Sequence, residues 1–159
     1  MSEQTIDMYD ILTVWRDAIK NSQPIIDFCL EKYNKLPTIF VGINFDAPPT
    51  DDDCPVIILM PGTKIEGQAI TPFLYALSIG WSIYNEQTVV IDNVVEYVGI
   101  QQCSQLGQLI YETIAQVRPD YPITKMTFEI NALEMFPQIV GEMTLETEIE
   151  PCIGAELIY

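Results

Sequence analysis

From Tyr75 to Ile83, large and small residues alternate without a break. Tyr75, Leu77, Ile79, Trp81 and Ile83 are interleaved with Ala76, Ser78, Gly80 and Ser82. Successive side chains of a strand point to opposite faces, so this segment makes one face large and the other small, as a strand packed under a helix requires. The same stretch also fits a helical stripe through Phe73, Leu74, Leu77, Trp81 and Tyr84, but the small residues between the large ones favour a long strand. Nineteen uncharged residues run from Gly67 to Asn85, long enough to suggest a membrane span. Pro72, Gly80, two serines and the polar Gln68 and Thr71 interrupt that run, and no basic cluster flanks it, which argues against a membrane helix.

Other elements follow from their periods. Met8, Ile11, Leu12, Trp15, Ala18 and Ile19 form one stripe on a helix expected from about Thr5 to Lys20. Ser22 is placed to cap a second helix, entered through Pro24 and closed by Pro37, with a stripe of Ile25, Ile26, Cys29, Leu30 and Tyr33. TIFVGIN (38–44) and PVIILM (55–60) read as strands, the latter ending at the turn signal Pro61-Gly62. TVVID (88–92) and VVEYVG (94–99) read as strand or extended structure before a helix from Gln101 to Val117, striped by Cys103, Leu106, Ile110, Ile114 and Val117. Gly107 inside that helix costs about 1 kcal/mol relative to alanine, which suggests a close approach of helix to sheet. Met126, Phe128 and Ile130, then Met143, Leu145, Thr147 and Ile149, alternate with polar residues as a closing hairpin. The expected fold class is α+β: a single domain over 1–159 with a mixed, mostly antiparallel sheet and helices packed on one face. A chain of this length can bury about two-thirds of its unfolded surface.

Charge sets the limits on function. Twenty-three acids against seven bases and no histidine give a net charge of -16, yet 48% of the residues are hydrophobic, so the chain should fold. Such a field disfavours binding to nucleic-acid phosphates. Acids and bases number eleven and five over residues 1–80, and twelve and two over 81–159, with no base after Lys125. The N-terminus lacks the basic and apolar regions of a signal peptide, and Cys29, Cys54, Cys103 and Cys152 are far apart. Reduced thiols in a cytosol-made protein are the expectation, and with no histidine the usual zinc spacings and histidine-activated nucleophiles are missing. Asp51, Asp52 and Asp53 lie in DAPPTDDDCP without the ligand alternation or glycine of a calcium loop. No enzyme, metal or cofactor is expected.

Two surfaces stand out. Glu142, Glu146, Glu148 and Glu150 alternate along the last strand, a row of like charges whose cost points either to a solvated face that also blocks edge aggregation or to a surface in use. PGTKIEGQ (61–68) has glycines and a lysine but not the order of a phosphate loop, so Thr63, Lys64, Ile65 and Glu66 are expected in a flexible arm or hairpin tip that a neighbouring subunit could order.

The element order, with YALSIGWSIY (75–84), QCSQLGQLIYETIAQV (102–117), ITKMTFEIN (123–131) and EMTLETEIE (142–150), resembles the tail terminator (tail completion) proteins of long-tailed bacteriophages. This is the tail-to-head joining family that includes the lambda minor tail protein U. The resemblance covers roughly residues 5–150, in size, element order and texture. It implies a virion protein, assembled in the host cytoplasm, that forms a homo-oligomeric ring, a hexamer in this family. The ring caps the tail tube, ends polymerisation of the tube protein and docks a head-completion or neck protein. DNA would pass without specific binding, and an acidic lumen would keep it mobile; the glutamate row is the candidate for that lumen. Arg16, Lys20, Lys32, Lys35, Lys64, Arg118 and Lys125 are the available partners for acidic patches of neighbours. A competing reading is an acidic DNA mimic, decoy or immunity-type inhibitor of a basic protein, which should spread its carboxylates over helices at phosphate-like spacings.

Overall fold

A computed structural model describes residues 7–67, 72–117, 122–132 and 134–150. Two helices open the chain, α1 (Met8–Asn21) and α2 (Gln23–Tyr33), followed by strands β1 (Thr38–Val41), β2 (Val56–Ile65) and β3 (Phe73–Tyr84). A hairpin of β4 (Thr88–Ile91) and β5 (Val94–Tyr97) leads into α3 (Val98–Ala115), and β6 (Ile123–Asn131) and β7 (Gln138–Ile149) close the fold. The main sheet has the order β1-β2-β3-β7-β6, with β1 parallel to β2 and every other pair antiparallel. The α+β architecture is as expected, and α1 and α3 pack on one face of the sheet.

The alternation in β3 does what its pattern requires. Tyr75, Leu77, Ile79, Trp81 and Ile83 are buried beneath the helices, while Ala76, Ser78 and Gly80 are half-buried on the opposite face. Register carries that division across the sheet: Ile79 stands opposite Leu59 and Met143, and Leu77 opposite Leu145. From the helices, Ile11, Leu12, Trp15 and Ile19 of α1 and Cys103, Leu106, Ile110 and Ile114 of α3 complete the core.

Trp81 organises the centre. Its indole Nε1 donates to the Cys103 carbonyl at 2.8 Å, and its ring lies 5.0 Å from that of Phe128. Space for the indole comes from two glycines: a Cβ on Gly107 would fall 2.3 Å from Trp81, and one on Gly141 would fall 2.1 Å from it. The interior glycine of α3 thus marks the close approach of helix to sheet that its cost implied.

Local details depart from the sequence pattern in four places. α1 begins at Met8, where Asp7 accepts from the Tyr9 amide at 2.9 Å. Ser22 occupies the N-cap of α2 without capping it, because its hydroxyl bonds Thr113 of α3 at 3.0 Å instead. The helix ends at Asn34, in the left-handed conformation, before Pro37 is reached. Pro61-Gly62 bulges β2 and does not turn it; a Cβ on Gly62 would lie 2.3 Å from the Ala76 carbonyl oxygen. No helix among the described residues is long and apolar enough to cross a membrane, and residues 73–84 of the uncharged run form β3.

Cys29, Cys54 and Cys103 are buried free thiols, while Cys152 lies outside the described residues. Burial pushes both Cys29 and Cys103 up to about 12. Between their ordinary range near 9 and about 12, the unfolded chain has released protons that the folded chain retains, so stability falls as pH rises through that window. Urea midpoints should therefore decline from pH 9 upward, and the slope should flatten in a Cys29→Ala/Cys103→Ala variant.

Candidate functional site

The strongest functional surface is the sheet face turned away from the helices. β7 places Glu142, Thr144, Glu146 and Glu148 there, because Ile139, Met143, Leu145 and Thr147 between them are buried on the other side. Glu150 is exposed just past the strand's end. Register adds residues that the β7 pattern alone did not reveal: Glu129 of β6 stands directly opposite Glu142, and Lys125 opposite Glu146. The Lys125 ammonium is 4.0 Å from the Glu146 carboxylate, with 65% of the lysine side chain exposed, so this pair contributes little. Glu129 and Glu142 form an exposed like-charge pair across two strands.

Toward β1 the same face changes character. Small residues Ala76, Ser78 and Gly80 of β3 lie opposite Glu146, Thr144 and Glu142 on one side. On the other side Ser78 and Gly80 lie opposite Met60 and Ile58, and Phe40 of β1 pairs with Ile58. The result is a shallow surface with an apolar flank on β1 and β2, a low middle on β3 and an acidic flank on β7 and β6. One end is closed, for Val56, Cys54 and Ser82 are buried there, with Gln138 donating to Ser82 Oγ at 2.8 Å. Apolar surface on an open sheet face next to a carboxylate row with one weakly held lysine suits contact with another macromolecule better than the binding of a small substrate.

The like-charge pair gives a direct check. Glu129→Gln or Glu142→Gln should raise stability by about 0.2–1 kcal/mol in low-salt urea denaturation. The gain should shrink as added salt screens the repulsion.

Of the arm or hairpin tip expected at 61–68, residues 61–65 form the far end of the antiparallel β2–β3 pairing. Thr63, Lys64 and Ile65 belong to β2 and pair with Ala76, Tyr75 and Leu74. Lys64 shares the inner side with Tyr75, its ammonium 3.1 Å from the Glu66 carboxylate and 5.7 Å from the Tyr75 ring centroid. The Tyr75 hydroxyl donates to Glu66, and this bond, with Lys64 beside it, holds the Glu66 carboxyl below the usual carboxylate range. The β2–β3 pairing thus runs past the proline-glycine bulge, and these residues find partners within their own subunit. Only Gln68 of the proposed arm lies outside the described residues.

Asp51, Asp52 and Asp53 form a single 3-10 turn in which the Asp53 carboxylate accepts from the Thr50 amide at 2.8 Å. Among the described residues no group of three or more cysteines, aspartates or glutamates is arranged to hold a metal ion.

Likeness to known proteins is found among solved structures. No family model and no curated protein matches the chain. Among solved structures it is similar to a chain of the "Virion of native gene transfer agent (GTA) particle", at 6% identity and a TM-score of 0.46. The similarity spans 86% of this chain and 91% of that one. No residue role is carried over from it.

A further exposed element lies between β3 and α3. The β4–β5 hairpin is a two-stranded sheet of its own, hydrogen-bonded to neither edge of the main sheet. Val90, Ile91, Val94, Val95 and Tyr97 are each at least 46% exposed on it. Its base is held by the edge-to-face contact of Tyr97 with Phe136, ring centroids 5.3 Å apart, and by the Val98 amide donating to the Gln87 carbonyl. A signal was present in the sequence: TVVIDNVVEY is apolar on both faces of its strands, which a hairpin lying on a core does not need.

Proposed function

We propose that this chain is a virion structural protein of the tail terminator type, which assembles as a ring on the end of a phage tail tube. The ring ends polymerisation of the tube protein and presents a docking surface to a head-completion or neck protein. The observation that carries this reading is the uncovered sheet face, with Glu129, Glu142, Glu146 and Glu148 on one flank and Phe40, Ile58 and Met60 on the other. A monomer gains nothing from exposing both. In a ring, the apolar flank is covered by a neighbouring subunit or the tube, and the acidic flank faces a lumen whose field repels passing DNA phosphates. The role is structural, without catalysis or cofactor, and its site of action is the virion after assembly in the host cytoplasm.

Size-exclusion chromatography with light scattering tests the reading. A discrete oligomer of several copies is expected at high protein concentration and moderate salt. A strict monomer under all conditions, joined to tight and salt-sensitive capture of a basic protein, would replace the ring with the decoy reading.

A further inference from the structure

Two surfaces of the chain are complementary yet separate. The first is the tip of the β4–β5 hairpin, where Ile91 pairs with Val94 across the two-residue turn Asp92-Asn93. Ile91 is 66% exposed and Val94 52%, and Asp92 holds a positive φ of 55°. That conformation is easiest for glycine, so the position tolerates aspartate at some backbone cost and thereby keeps a carboxylate at the apex.

The second surface is an open cleft of about 480 Å³ between α1, α2 and the start of β1. Ile26, Leu36, Pro37 and Ile39 give it an apolar floor, and Arg16 and Lys20 give it two of the chain's seven cations. Asp17 also lines it and pairs with Arg16 at 2.9 Å. Lys20 is exposed, and among the described residues no carboxylate lies within ion-pair distance of it. In a chain of net charge -16, a cleft that combines cations with apolar walls is the place where another copy's acidic, apolar projection meets least repulsion.

We infer that the hairpin tip of one copy seats in the α1–α2–β1 cleft of the next, with Asp92 against Lys20 and Arg16, and Ile91 and Val94 against Leu36, Pro37 and Ile26. The contact joins different patches of two identical chains, so it is heterologous, and repetition closes a ring when the rotation permits. It rests on the ring reading above and names the joint between subunits. The marginal stability of a free two-stranded hairpin in water fits an element whose packing partner is another molecule.

The test is charge exchange in the full chain, read by sedimentation velocity at one fixed salt concentration, with far-UV circular dichroism as a control for folding. Asp92→Lys and Lys20→Glu should each weaken assembly at least tenfold, because each places like charges at the joint. An equimolar mixture of the two variants should assemble again, since every tip then meets a cleft of opposite charge. Ile91→Ser/Val94→Ser should weaken assembly without recovery in any mixture. If the parent chain assembles and these variants assemble equally well, or the mixture shows no recovery, the joint lies elsewhere and the ring reading survives. Variants that respond as expected in an assembly that proves to be an open filament or a dimer uphold the joint and overturn the ring. A parent chain that stays monomeric overturns both.

Discussion

Replacing Trp81 with alanine is expected to destabilise the fold by about 3–5 kcal/mol, the range for truncating a buried large aromatic side chain. The indole is 1% exposed and fills the space left by Gly107 on α3 and Gly141 on β7, so its removal opens a cavity where helix and sheet meet most closely. Neither glycine can extend a side chain into that space. Its hydrogen bond to the Cys103 carbonyl and its contact with Phe128 are lost with it. The complementary change acts through crowding: Gly141→Ala places a methyl group about 2.1 Å from the indole, and overpacking of this kind costs typically about 1–3 kcal/mol. Urea denaturation of both variants separates the two effects, because Gly141→Ala in a Trp81→Leu background should lose most of its penalty. Full additivity of the two substitutions would mean that the indole does not occupy the space the glycines leave.

The second large effect is on assembly. Raising salt from about 0.05 M to about 0.5 M should tighten self-association about tenfold or more, since each subunit brings a net charge of -16 to its neighbours. The Debye length is roughly 10 Å at 0.1 M, so charges spread over two facing subunits are screened while a pair in contact is screened much less. The repulsion of Glu129, Glu142, Glu146 and Glu148 between copies fades first, and the Asp92 to Lys20 contact persists. Sedimentation equilibrium across the salt series measures this directly. Association that weakens steadily with salt would mean that ion pairs, and not buried apolar surface, hold the subunits together.

Much of the architecture was legible because its signals are periodic. The alternation at 75–83 and at 143–149 assigns each residue of β3 and β7 to a face, and the stripes at 11–19 and 103–114 do the same for α1 and α3. What the pattern could not supply was partnership between distant strands. Glu142 belonged visibly to an acidic row, but only the register of β6 against β7 brings Glu129 opposite it. Residues 61–66 look like a loop because Pro61-Gly62 is a common turn signal; pairing with β3 overrides it and leaves a bulge. Lys64 and Glu66 then turn to Tyr75, ten residues or so along the chain. Residues 88–97 read as strands from their composition, yet the isolation of that hairpin from the main sheet is a fact of topology that no local pattern encodes.

Negative-stain electron microscopy of the purified full chain, at about 0.5 M salt and high protein concentration, shows whether the subunits close into a ring. Closed rings of uniform diameter with a central opening are expected, lost when Asp92→Lys is introduced into the hairpin tip. Fields of single small particles from a chain that is folded by circular dichroism would contradict the ring.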